Sequence, residues 1–230
     1  MGIGVATGCD RIYVVPADVD IEADRLVPLV MREDIENGRI VDSRRRVINA
    51  FSEEGSVIDL SGFPRLARYL ASHDQDIKRR HVAKKNPKSW FRTIDRVYPS
   101  LVKVPKLLIP DIAGSNEVVY DKGHYHPHHN LSFVTSQTWD MEVLGGLLSS
   151  RVSLFFVWSY AVKMRGGYLR FQAQYLRRIR VPDRAGITPS LAESIRTAFR
   201  RRDFAALDDL ALQAYGIDDL PAFDFVDTRR

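Results

Sequence analysis

Four of the six histidines in this 230-residue chain fall within six positions, His124-Tyr125-His126-Pro127-His128-His129. Imidazoles this close can ligate zinc or nickel, and they titrate near neutral pH. With Asp111 and Asp121 just upstream, the chemistry they suggest is a metal-dependent hydrolase or nuclease centred on the histidine cluster. The details fit it poorly. The spacing matches no standard closed zinc site, and the single cysteine, Cys9, is remote in sequence. A two-carboxylate nuclease site of the Pro-Asp…Asp/Glu-x-Lys type starts correctly at Pro110-Asp111. It then fails, because Asp121 and Lys122 are adjacent where one residue should separate them, and Glu117 is too far from Lys122. The favoured expectation is an ordered loop whose imidazoles hydrogen-bond to backbone and carboxylates, with no metal ligated.

Other chemistries fare no better. Cys9 with a histidine would make a nucleophile pair in principle, but nothing local marks it, and buried filler is the expectation. Methyl transfer to adenine requires a glycine-rich cofactor turn after a strand, and an Asn/Asp-Pro-Pro-aromatic motif to grip the flipped base. The stretch Gly2-Ile3-Gly4-Val5-Ala6-Thr7-Gly8 has no strand before it, and Asn86-Pro87-Lys88 lacks the second proline. A phosphate loop ending in Gly-Lys-Ser/Thr is also absent. The chain is therefore expected to hold no catalytic residue and no cofactor.

Charge is more informative. The net charge is +5, but residues 41–110 carry 15 Lys/Arg against seven Asp/Glu, while residues 1–40 carry four against eight. A localised basic field suits a polyanionic partner. It peaks in the helix end Lys78-Arg79-Arg80-His81 and in the basic loop Lys84-Lys85-Asn86-Pro87-Lys88-Ser89-Trp90-Phe91-Arg92, with a smaller cluster at residues 163–180. One cysteine excludes an internal disulfide and fits a reducing cytoplasm. The longest apolar run, around Leu154 to Trp158, is far short of a membrane span, and the first residues lack the pattern of a signal peptide.

The elements that must position these residues read as an α+β body with a small helical tail. Strands are expected at Ile12–Val15, Arg39–Val41, Lys106–Ile109, Glu117–Tyr120 and Leu131–Val134. Pro64 opens a helix that carries Leu66, Leu70 and Ile77 at helical intervals and runs to about Ala83. Trp139 to Leu148 reads as another helix, while Arg151 to Ala161 is apolar and unassignable to helix or strand. Residues 183–189 look like a linker. Beyond them Ser190 can cap a helix to about Arg202, and Phe204 to Tyr215 makes a second helix with Gly216 as its stop. The division is a body over 1–183 and a helical extension over 184–230.

Taken in order, these segments resemble a known family. Gly4-Val5-Ala6-Thr7-Gly8-Cys9-Asp10-Arg11-Ile12-Tyr13-Val14 is similar to its opening. Pro105-Lys106-Leu107-Leu108-Ile109-Pro110-Asp111, Tyr125-His126-Pro127-His128-His129-Asn130 and Ser136 through Ser149 continue the match. Lys163 to Phe171, Tyr175 to Pro182 and Phe204 to Gly216 complete it. The family is the TaqI-like C-terminal specificity domain of adenine-N6 DNA methyltransferases and type IIG restriction-modification enzymes.

The resemblance implies a mixed sheet-and-helix target-recognition domain that binds double-stranded DNA. Catalysis, and the S-adenosylmethionine it consumes, would belong to a parent enzyme whose methyltransferase domain acts with this chain in cis or in trans. This polypeptide would be an excised piece, a fragment gene or a separately encoded specificity subunit. For phosphate contacts the residues nominated are Arg79, Arg80, Lys84, Lys85, Lys88 and Arg92, with Trp90 and Phe91 packing on sugar or supporting the loop. For base edges they are Lys163, Arg165, Arg170, Gln172 and Gln174, since arginine suits guanine and amides suit adenine. Arg44-Arg45-Arg46 either extends the phosphate track or is solvated. The two tail helices look like a docking element, and the acidic patch at Asp208, Asp209, Asp218 and Asp219 should avoid DNA.

Overall fold

The run Lys106-Leu107-Leu108-Ile109-Pro110 forms a strand buried on both faces. The computed structural model describes residues 1–41, 43–113, 117–161 and 169–223. Strands within them are β1 (Gly2–Ile3), β2 (Val14–Pro16), β3 (Leu26–Val30), β4 (Ile35–Glu36), β5 (Arg39–Ile40), β6 (Arg45–Ile48), β7 (Lys106–Pro110), β8 (Ile112–Ala113), β9 (Val119–Asp121), β10 (His126–Pro127), β11 (Leu131–Val134) and β12 (Leu169–Arg170). Helices are α1 (Asp10–Tyr13), α2 (Pro64–Ser72), α3 (Asp74–Arg79), α4 (His81–Lys85), α5 (Met141–Ser149), α6 (Arg151–Tyr160), α7 (Ala173–Leu176), α8 (Pro189–Arg201) and α9 (Phe204–Tyr215). The architecture is α+β.

One sheet has the order β1-β11-β7-β9, antiparallel throughout, and a second has the order β10-β3-β6-β2, in which β10 runs parallel to β3. Because side chains alternate across a strand, β7 serves two cores. Leu107 and Ile109 pack with Met141, Leu144 and Leu148 of α5. Leu108 packs on the other face with Val30, Ile35, Val119 and Leu131, joining the first sheet to the second. Lys106 shares Leu108's side of the strand, and its ammonium is fully buried against the Asp121 carboxylate at 2.7 Å. Burial pulls the Lys106 pKa down, and the carboxylate opposes that pull. The remaining oxygen of Asp121 accepts the N–H groups of Gly123 and His124, so the pair also shapes the turn that leads into the histidines.

Several elements differ from the sequence reading for identifiable reasons. The single helix expected from Pro64 to Ala83 is three short helices, interrupted at His73 and at Arg80, whose backbone is extended. Ile12 and Tyr13 close a helical turn on the Cys9 carbonyl, so the strand begins only at Val14. The unassigned segment after Arg151 is the helix α6, set at 59° to α5. Both helices are apolar on most sides because α5 is covered by the sheet on one face and by the tail on the other. Among the described residues no single helix is long and apolar enough to cross a membrane. β4 and β5 are joined by Asn37-Gly38 at φ 48° and 66°, the left-handed pair that a two-residue hairpin turn needs.

The tail helices share a core with the body: Val143, Leu147 and Val152 pack with Leu191, Ile195, Ala198, Leu207 and Ala211. Thr188, rather than Ser190, caps α8 by accepting the Leu191 N–H, and α9 ends at Gly216 with φ 65°. Arg196 pairs with Asp140 across this junction. Because both members of the Lys106–Asp121 pair are fully buried, Asp121→Ala strands an ammonium. This substitution is expected to destabilise the fold by about 3–5 kcal/mol, read from urea unfolding. The double substitution Lys106→Met/Asp121→Ala should cost less than the single one.

Candidate nucleic-acid interface

The basic segment is built around one inward-facing arginine. Where the chain leaves α3, the extended backbone of Arg80 turns its guanidinium toward the protein. Nη1 donates to the Thr7 carbonyl at 3.0 Å, Nε donates to the Ile77 carbonyl at 3.1 Å, and Nη2 faces the Trp90 and Arg92 carbonyls and the Tyr13 hydroxyl at 2.9–3.0 Å. The guanidinium also lies over the Tyr13 ring, 4.7 Å from its centroid. Tyr13 in turn donates to the Phe91 carbonyl at 2.6 Å, and burial pushes its pKa up. Arg80, nominated as a phosphate contact, instead ties the start of the chain to both ends of the 90–92 loop, so that nomination is withdrawn.

The neighbours point the other way. Arg79, Lys84, Lys85 and Lys88 are all exposed along α3, α4 and the Pro87–Ser89 turn. Trp90 is half-buried, edge-on to Phe91, with the Lys78 ammonium 4.9 Å from its ring centroid. It packs with the core that holds Ile12, Leu66 and Ile77, so it anchors the loop. Arg92 is half-buried with its guanidinium 5.6 Å from the Phe51 ring centroid.

The second nominated group lies at another cavity. Gln172 and Gln174 line a hollow of about 420 Å³ together with Ile3, Asp111, His129, Ser132, Ala173 and Arg177. The two amides hydrogen-bond to each other, Gln174 donating to Gln172 at 3.0 Å. The Phe171 N–H donates to the Asp111 carbonyl, which fixes where α7 begins. Arg170 pairs through its backbone with Ile112, and its side chain lies outside the described residues, as do Lys163 and Arg165. Arg177 and the 59 %-exposed Ile3 are cavity residues that sequence reasoning missed. Neither carries a local signal, because the cavity is made by segments far apart in the chain.

Residues 1–13 connect the two regions. At the cavity end, Ile3 lines the hollow and the Met1 carbonyl accepts from Arg177 at 3.3 Å. At the basic end, the Thr7 carbonyl accepts from Arg80. Between them Gly4 presses on the β10–β11 connection. A Cβ there would lie 2.2 Å from the His128 carbonyl oxygen, so only glycine fits.

The histidines do not gather with Asp111 and Asp121 at one centre: His129 lines the hollow with Asp111, while Asp121 lies beside His124. His124 is exposed, 3.6 Å from Asp121. His126 is buried, and burial holds its pKa down at about 4. It is neutral, with Nδ1 donating to the Pro127 carbonyl and Nε2 accepting from the Tyr98 N–H. Asp121 is held by Lys106 and three backbone N–H groups. The hydrolase centred on these residues thus has no common reaction centre. His128 turns instead to Asp10, its Nε2 3.0 Å from Oδ2, and His129 Nδ1 lies 2.9 Å from the same nitrogen of His128.

A family model for the TaqI-like C-terminal specificity domain matches residues 64–181, just over half of the chain. The chain belongs to this family. The matched span of the specificity domain takes in the basic segment, β7, the histidines and the cavity amides. Curated relatives extend the similarity. The type II methyltransferase M.BstVI of Geobacillus stearothermophilus is 49 % identical over 214 residues, covering 93 % of this chain and 38 % of that protein. M.XhoI of Xanthomonas vasicola is 47 % identical over 220 residues, covering 95 % and 40 %. The specificity domain therefore spans about two-fifths of the length of these relatives. Its fold is similar to that in the type IIL restriction-modification enzyme MmeI, solved in complex with DNA, with a TM-score of 0.65 at 12 % identity over 96 % of this chain and 33 % of that one. It is also similar to the type IIG restriction endonuclease BpuSI, with a TM-score of 0.50 at 13 % identity over 87 % and 27 %.

The opposite orientations of Arg79 and Arg80 give a direct test. Arg80→Met removes several charge-assisted hydrogen bonds and is expected to lower stability by about 2 kcal/mol or more. Arg79→Ala, on the exposed face, should stay within about 0.5 kcal/mol of the parent. Chemical denaturation of the two variants reads the difference.

Proposed function

We propose that this specificity domain reads double-stranded DNA for an adenine-N6 methyltransferase. The catalytic domain, acting in cis or in trans, would bring the S-adenosylmethionine. One observation carries the reading: exposed cations on a rigid basic segment and a cavity of amide and guanidinium donors flank the same N-terminal segment. Each half answers to a separate part of DNA recognition.

Arg79, Lys84, Lys85 and Lys88 contact phosphates. Replacing condensed counterions there supplies affinity without sequence information. Arg80 and Trp90 keep that surface in place from below. Gln172 and Gln174 face base edges, where an amide can pair with adenine through a donor and an acceptor at once, and Arg177 offers the fork that suits guanine. The mutual hydrogen bond between the glutamines leaves Gln172 an amide nitrogen and Gln174 a carbonyl oxygen for a base. Arg92, Arg170, Lys163 and Arg165 remain in the proposed surface on the strength of the resemblance. The acidic tail residues Asp208 and Asp209 line a hollow with Arg151 and Asp219 that none of the proposed contact residues lines, and the tail serves as a docking element for the catalytic domain.

Fluorescence anisotropy of a labelled duplex with the intact chain, over a salt series, tests the phosphate half. The logarithm of the association constant should fall linearly with the logarithm of salt. Lys84→Ala, Lys85→Ala and Lys88→Ala should each flatten that slope by about 0.9. A slope indifferent to all three would remove the basic segment from the interface. Gln172→Ala in the methyltransferase complex should cost about 1–3 kcal/mol of discrimination between cognate and single-mismatch duplexes, with little effect on the salt slope.

A further inference from the structure

Asp10 sits at the start of α1, and His128 and His129 sit at the end of β10, 118 residues later. Their three nearest atoms form a compact triangle. His128 Nε2 is 3.0 Å from Asp10 Oδ2 and 2.9 Å from His129 Nδ1, and all three ligand atoms lie within 4.8 Å of one another. We propose that Asp10 Oδ2, His128 Nε2 and His129 Nδ1 form a binding site for one divalent transition-metal ion of the zinc class.

The geometry suits such an ion. At bond lengths of about 2.0–2.2 Å, a tetrahedral ion separates two ligand atoms by about 3.3–3.6 Å. The two short edges of the triangle, 3.0 and 2.9 Å, are hydrogen-bond contacts that open by about half an ångström to admit it. Two imidazoles and one carboxylate favour zinc, nickel or cobalt over magnesium or calcium, which prefer all-oxygen shells. Three protein ligands leave a further position open to water. His129 is exposed and Asp10 partly so, which gives an ion a route in from solvent.

The ligands are held before any ion arrives. The His128 N–H donates to the Val30 carbonyl, the His129 N–H to the Val5 carbonyl and the Leu131 N–H to the His128 carbonyl, all at 2.9–3.0 Å. Thr7 Oγ1 donates to Asp10 Oδ1, an outer contact of the kind that orients metal-binding carboxylates, and this leaves Oδ2 toward the histidines. Without an ion, His128 Nε2–H must serve both Asp10 Oδ2 and His129 Nδ1. Nδ1 of the same ring is buried and has no hydrogen-bond partner among the described residues, which favours the proton on Nε2. Metal binding moves that ring proton to Nδ1, where no acceptor awaits it. The site should accordingly bind more weakly than one with a complete outer shell. Its effect would be to clamp the start of the chain onto the β10–β11 connection, between the basic segment and the cavity.

Titration of the untagged, metal-stripped chain with zinc, and with cobalt for its visible absorption, tests the site, with stoichiometry from elemental analysis. One ion per chain is expected, with an upward shift of the thermal midpoint. His129→Ala and Asp10→Asn should each weaken zinc binding by at least about tenfold. His129 is exposed, so His129→Ala should keep the metal-free thermal midpoint, which separates loss of a ligand from loss of the fold. No binding, or one-to-one binding untouched by both substitutions, would overturn the proposal. No DNA enters the experiment, so its outcome is independent of the proposed recognition function.

Discussion

Gly4 lies so close to the carbonyl groups of Pro127 and His128 that a Cβ would come within 2.2 and 2.4 Å of the His128 and Pro127 oxygens, and the arrangement of the candidate interface depends on this approach. The first strand pairs with β11, and Val5 bridges to His128 in parallel, so the beginning of the chain is sewn between the two sheets. The nominated side chains among the described residues lie on one side or the other of that seam. The cavity amides and Arg177 meet it at Met1 and Ile3, and the basic segment meets it at Thr7 through Arg80. A side chain larger than hydrogen at position 4 would push the two apart, and the histidines between them would lose their backbone partners.

Positive charge in this fold has two uses that composition cannot separate. Arg79 and Arg80 are neighbours of identical type, yet one extends into solvent and the other fills a nest of four carbonyls and a hydroxyl. The cause is a single extended backbone conformation between two short helices, which rotates consecutive side chains to opposite sides. The inward guanidinium holds the loop from which Lys88 projects, so it supports the proposed surface through geometry. Lys106 illustrates the same division further inside, where its ammonium and Asp121 are fully buried and fix the turn before the histidines.

The specificity domain is similar to type II methyltransferases across nearly all of this chain. The chain corresponds to about two-fifths of those relatives. The two C-terminal helices nonetheless share a core with α5 and α6, and Arg196 of α8 pairs with Asp140 at the start of α5, so α8 and α9 are packed as an extension of the helical layer that covers the sheet.

Local chemistry was legible in the sequence wherever it acts over a few residues. The strands around Leu107, Tyr120 and Phe133, the proline-initiated helix at Pro64, the stop at Gly216 and the overall α+β class follow from periodicity, capping and turn preferences. The ordered motifs were enough to indicate the family. The sequence by itself also located the basic segment, because charge density is a property of the chain. Tertiary structure decided the rest, since it depends on contacts between distant residues. It broke the 64–83 helix at Arg80, made the apolar run after Arg151 a helix between two cores, and buried Lys106. It also sorted one run of histidines into an exposed residue, a neutral buried one and a pair beside Asp10. No spacing rule could join Asp10 to His128, because the two meet only when the first strand closes against β11 and the carbonyls at 127 and 128 leave room for nothing but glycine.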